Sequence, residues 1–86
     1  MKDLERTLKA LANKRRLAIL KYLKRSQPAS VGDIAGEIGL SFRATSKHLG
    51  VLSAADIVER EQQSLSVFYR IAGEQKPAAK HTISLL

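Results

Sequence analysis

Residues 30–52 read SVGDIAGEIGLSFRATSKHLGVL, and this stretch decides the fold. Ser30 followed three positions later by Asp33 is a helix start of the capping-box type, with an acid at the third helical position. Ile34, Ala35 and Ile38 then share one face of about a turn and a half. Gly39 can take positive φ and close that helix, and Ser41 can cap the next. In the second helix Thr45, Leu49 and Leu52 recur at i, i+4 and i+7, so they face inward. Arg43, Ser46, Lys47 and Gly50 form the opposite, polar face. Two short helices joined by a glycine-containing turn are the pattern of a helix-turn-helix, whose second helix enters the major groove of DNA.

Working outward toward the start of the chain, Leu4, Leu8 and Leu11 give a helix over residues 3–11 an apolar stripe. That stripe has two readings: packing on the domain's own core, or meeting its copy in a dimer. Asn13 can cap a second helix from about Lys14 to Lys24, with Leu17, Leu20 and Leu23 inward and Ile19 and Tyr22 widening the apolar face. Lys14, Arg15 and Arg16 fall in its first turn, where positive charge opposes the helix dipole at a cost of a few tenths of a kcal/mol each. Such a cluster can hold a DNA phosphate or be neutralised within the protein by Asp3 or Glu5. Pro28 biases Gln27 out of the α region and ends the helix.

Toward the end of the chain, Asp56 tolerates a left-handed turn after the second helix of the motif. Ile57-Val58-Glu59-Arg60-Glu61 and Leu65-Ser66-Val67-Phe68-Tyr69-Arg70-Ile71 read as two strands joined through Gln62-Gln63-Ser64. In the second, Leu65, Val67, Tyr69 and Ile71 share a face. A hairpin after a helix-turn-helix is a wing. The expected fold is therefore mainly α with a small β-hairpin: a winged helix-turn-helix with a three-helix core and a two-stranded wing, spanning residues 1–72. Residues 73–86 form either a short C-terminal helix begun by Pro77, with Ala79, Ile83 and Leu86 in a stripe, or a flexible tail.

Composition narrows the function. The chain has 86 residues, no cysteine and a formal charge of +7. Its length suits one domain with a marginal core. Without cysteine there are no disulfides, thiolate metal sites or cysteine nucleophiles. No apolar run reaches the roughly 18 residues of a membrane span, and Met1-Lys2-Asp3 does not open a signal peptide, so a cytoplasmic protein with no membrane partner is expected. A basic chain suits a polyanionic partner. The excess is uneven: residues 1–25 carry +7, and residues 26–56 carry −1. The helix-turn-helix itself is close to neutral. Two distant histidines, with no paired nucleophile and no phosphate-binding glycine loop, give no support to an enzyme.

These residues resemble the ArsR family of prokaryotic winged-helix regulators, from about Leu8 to Ile71. Leu8-Lys9-Ala10-Leu11 with Arg16-Leu17-Ala18-Ile19-Leu20 is similar to the family's opening. Ser46-Lys47-His48-Leu49-x-x-Leu52 is similar to its Ser-Arg-His-Leu-x-x-Leu recognition-helix core, and Phe68-Tyr69-Arg70 to the end of its wing. The resemblance implies a homodimer that binds double-stranded DNA at a palindromic operator and commonly represses transcription. It makes Ser41, Phe42, Arg43, Ala44, Ser46 and Lys47 the candidate DNA-facing positions, with Arg43 suited to guanine O6 and N7 and Ser46 and Lys47 to phosphate or mixed contacts. Lys14, Arg15 and Arg60 are candidate DNA contacts beyond the recognition helix, and Leu4, Leu8 and Leu11 candidate dimer contacts. Ser30 and Gly32 stand where many members carry metal-sensing cysteines, and His81 lacks companions. No metal or cofactor is expected, and no small-molecule effector is legible. The wing tip has no Lys or Arg, leaving Arg60 or Arg70 for groove contact. A winged helix used for protein contact, with only non-specific nucleic-acid affinity, is the competing expectation.

Overall fold

The computed structural model describes residues 1–86. Five helices and three short strands follow in the order α1 (Lys2–Leu11), α2 (Lys14–Ser26), β1 (Ala29–Ser30), α3 (Val31–Ile38), α4 (Phe42–Ala54), β2 (Val58–Gln63), β3 (Ser66–Ile71) and α5 (Pro77–Ser84). Local chemistry sets the helix ends. Asn13 Oδ1 accepts from the Arg15 and Arg16 N–H groups, Ser30 Oγ from Asp33 N–H, and Ser41 Oγ from Ala44 N–H at 3.1 Å. Gly39, at φ 65°, closes α3 in the left-handed region that only glycine enters freely. Asp56, at φ 60°, makes the turn out of α4.

One apolar core joins all the helices. Ile19, Leu20, Leu23, Ile34, Leu49 and Leu52 are wholly buried, with Ile57 and Val58 sealing the base of the wing and Ala79 and Ile83 of α5 closing one side. Of the two readings for residues 73–86, the helix is the observed one, and Leu86 packs against the core beyond it. Thr45, the one polar side chain buried in α4, donates to the Ser41 carbonyl at 2.8 Å, so its hydroxyl costs little.

The sequence reading needs four corrections. The inward side of α2 is centred on Ile19, Leu20 and Leu23, and Leu17 is only half-buried, because the helix is rotated by part of a turn. The first helix buries Thr7, Ala10 and Leu11, not the full leucine stripe. Small residues at 7 and 10 sit on its inward side, and Leu4 and Leu8 are left on the flank, 44% and 49% exposed. A third strand exists: β1 pairs antiparallel with β3, Ala29 opposite Tyr69 and Ser30 opposite Phe68, giving the sheet order β1-β3-β2. Finally, β2 runs on to Gln63, which pairs with Ser66, so Ser64-Leu65 is a two-residue turn. Ser64 takes φ 58°, and Leu65 leaves the strand to stand 98% exposed at the tip.

Candidate nucleic-acid interface

The recognition helix α4 presents its candidate residues in two groups. Its buried side is Thr45, Leu49 and Leu52, as the periodicity requires. Phe42, Arg43 and Lys47 are exposed, and Ala44 and Ser46 are half-buried. Phe42, the first residue of the helix, is 63% exposed, an apolar ring held in water at the end of the motif that meets base edges. Neither Arg43 nor Lys47 forms an ion pair with a carboxylate, so both charges stay available to an outside partner. Ser41 is committed differently: its Oγ caps the helix by accepting from the Ala44 N–H, which leaves its own O–H free to donate.

The basic first turn of α2 divides once its partners are known. Arg16 is consumed within the protein. Its Nε donates to the Ala10 carbonyl at 2.6 Å and one Nη2 hydrogen to the Lys9 carbonyl at 3.0 Å, while Nη1 lies 3.2 Å from His48 Nδ1 on α4. The guanidinium thus closes the C-terminal end of α1 and braces the recognition helix. Its neighbours Lys14 and Arg15 make no side-chain bond or ion pair; Lys14 is exposed and Arg15 half-buried. The helix end offers an anion less than its sequence suggests, since Asn13 already occupies two of the N–H groups. Asp3 and Glu5, the carboxylates considered as partners for this turn, contact Lys76 and Lys9 instead, each at 4.0 Å.

His48 is moved from its ordinary range. Burial, then the nearby Arg16, Arg15 and Lys47 charges, lower its pKa below the usual 6.5. A neutral ring can accept through Nδ1 from Arg16, which is what the 3.2 Å contact requires. The sequence could not show this bridge, because the residues lie 32 positions apart.

On the wing, cross-strand register decides which cations are free. Glu59 faces Arg70, and Arg70 reaches both Glu59 (3.9 Å) and Glu61 (3.7 Å). Arg70 is therefore neutralised, while Arg60, opposite Tyr69, has no carboxylate partner. The candidate dimer residues also separate: Leu11 belongs to the core of the chain itself, whereas Leu4 and Leu8 line an open groove with Met1 and Ala12. No group of three His, Cys, Asp or Glu side chains is placed to hold a metal ion, and no helix is long and apolar enough to cross a membrane.

Residues 11–61 match the family model of a helix-turn-helix domain. The homodimeric winged helix-turn-helix DNA-binding domain Mb0332 of Mycobacterium bovis, a possible ArsR-family transcriptional regulator, superposes with a TM-score of 0.85 at 33% identity. That likeness covers 98% of this chain and 75% of the other. The chain belongs to the ArsR family. Among ArsR-type relatives, the transcriptional activator HlyU of Vibrio cholerae is 37% identical over 71 residues, 83% of this chain and 65% of HlyU. The nodulation protein NolR of Rhizobium meliloti is 39% identical over 62 residues, 72% of this chain and 50% of NolR. The chain thus spans between half and two thirds of the length of these two relatives. Within the ArsR fold, Ser30 lies in β1 and caps α3, and Gly32 is exposed in the first turn of that helix, so neither position offers a metal ligand.

Proposed function

We propose that this chain is a sequence-specific DNA-binding transcriptional regulator that acts in the cytoplasm as a homodimer on a pseudo-palindromic operator, with repression as its mode. The observation that carries the reading is the free face of α4. Arg43 and Lys47 extend from it with no internal partner, one helical turn apart. The N-terminal half of α4 enters the major groove, where Phe42 suits a thymine methyl and Arg43 the guanine O6/N7 edge. Ser46 and Lys47 fix the helix against the phosphates. Lys14, Arg15 and Arg60 add backbone contacts to either side. Leu4 and Leu8 join two protomers along α1, which gives the dimer a two-fold axis and the operator its symmetry. The homodimer named for Mb0332 supports the two-fold assembly, and the transcriptional role named for HlyU supports regulation; HlyU is an activator, so repression here rests on the family resemblance alone.

Selection of bound duplexes from a random pool tests it. The expected result is an enriched inverted repeat whose half-sites lie about one helical turn apart, with affinity falling steeply as salt rises. A pool that yields no enriched sequence, together with weak salt-sensitive association to any duplex, refutes it in favour of a protein-contact module. The near-neutral charge of residues 26–56 is the feature that would then have been decisive.

A further inference from the structure

The first helix has three sides. One packs on the core, one carries Leu4 and Leu8, and the third carries Lys2, Arg6 and Lys9, all exposed. This basic side borders a crevice of about 600 Å³ whose opposite wall is Val51 and Ala54 of the recognition helix, with Arg16 at its base. Lys2 and Arg6 have no carboxylate partner. The crevice's one acid, Glu5, touches Lys9 only at 4.0 Å between two well-exposed side chains, a contact worth little in water. Arg16 spends three of its five N–H donors on Ala10, Lys9 and His48, which fixes the guanidinium plane and leaves one hydrogen on each terminal nitrogen. Four cations against one carboxylate, arranged around short apolar side chains, form a place where an anion gains and nothing bulky obstructs it.

We propose that this crevice seats DNA backbone phosphates outside the bases read by α4. The inference rests on the DNA-binding reading above and identifies where that reading finds its affinity. Two features favour a duplex over a small free anion. Lys47, Val51 and Ala54 follow at i, i+4 and i+7, so the crevice continues the exposed face of the recognition helix instead of standing apart from it. The cations are also strung out: residues 2 to 9 of a helix span roughly 10 Å, about three rises of 3.4 Å along the duplex axis, which suits a row of charges more than a point. Four of the nine cations of residues 1–25 are thereby brought beside the near-neutral motif in space.

The test uses the full chain and an enriched duplex. Arg6→Gln with Lys9→Gln removes two charges from exposed positions and keeps good helix formers, so the fold persists. The homodimer loses four phosphate contacts, two per protomer at about 0.9 each, so the slope of log affinity against log salt is expected to become shallower by about three to four, with the ranking of base preferences unchanged. Lys21→Gln, an exposed lysine on α2 outside the crevice, serves as the control and should leave the slope near the parent's. A double variant whose slope matches that control overturns the proposal. So does one whose base preference changes, or whose sedimentation shows loss of the dimer, since the cations would then serve readout or assembly. If the parent binds no duplex in a salt-dependent way, the DNA-binding reading itself fails, and the seat falls with it.

Discussion

Replacing Arg16 by alanine tests whether the bridge from α1 through α2 to α4 stabilises the domain. Two of its three hydrogen bonds, to Ala10 and His48, are partly buried, and the third, to Lys9, is exposed. Water can replace Arg16 at the Lys9 carbonyl at small cost, so the two partly buried bonds dominate. A hydrogen bond contributes about 1 kcal/mol net, somewhat more when one partner is charged, so Arg16→Ala should cost about 2 kcal/mol. For a domain of this size that corresponds to a fall in Tm of about 8–16 °C. Urea titration followed by circular dichroism, at one fixed protein concentration because the stability of any oligomer depends on it, measures the loss. Arg16→Lys should recover less than half, because one ammonium cannot span two carbonyls and an imidazole from a single position. A double-mutant cycle with His48→Ala should return a coupling of roughly 0.5–1 kcal/mol. A loss below about 0.5 kcal/mol for Arg16→Ala, or full rescue by lysine, would refute the reasoning.

Three further outcomes are expected. Arg43→Ala should cost about 1–3 kcal/mol of discrimination at one base pair per half-site and leave the others intact, read by competition with singly substituted operators. Because the folded chain holds the His48 pKa below 6.5, both states carry a neutral ring above that pH and stability is fully present there. Below 6.5 the unfolded chain takes up the proton first, so stability falls with acid until the folded ring also titrates. The His48→Gln variant should show a flatter acid limb in urea titrations from pH 5 to 7.5. Lastly, Leu8→Glu places a charge on the open α1 groove without touching the core, and analytical ultracentrifugation should find it monomeric with an unchanged circular dichroism spectrum.

The parts of the fold legible in the sequence are those fixed by local chemistry. Ser30, Gly39 and Ser41 punctuate α3 and α4 through bonds to groups within a few residues, and Thr45, Leu49 and Leu52 are buried by the period of one helix. What escaped the sequence depends on long-range placement. Arg15 and Arg16 are adjacent and chemically identical, yet one is consumed and the other is not, because only Arg16 meets the end of α1. Likewise Arg60 and Arg70 differ only through cross-strand register, which put two glutamates around one of them. The two-residue β1 has no alternation to read; its pairing is dictated by where β3 returns. Leu65 has the alternation of a strand residue, but β2 runs on to Gln63, so the turn falls later than the connection suggested, at Ser64 and Leu65.

That short strand ties together two parts of the molecule that could otherwise move separately. Ser30 is paired with Phe68 of the wing while its own hydroxyl holds the first turn of α3. Gln27 adds a second stitch by accepting the Ile71 N–H at 2.7 Å. The hairpin and the helical motif are therefore fastened at a shared residue, and a tilt of one carries the other with it. Such a body behaves as a fixed-span caliper: its distance between helix and hairpin is set by the protein, and any variation in groove width must be absorbed by the duplex. Stiff and pliable sequences of identical base contacts would then be graded by how cheaply they meet that span.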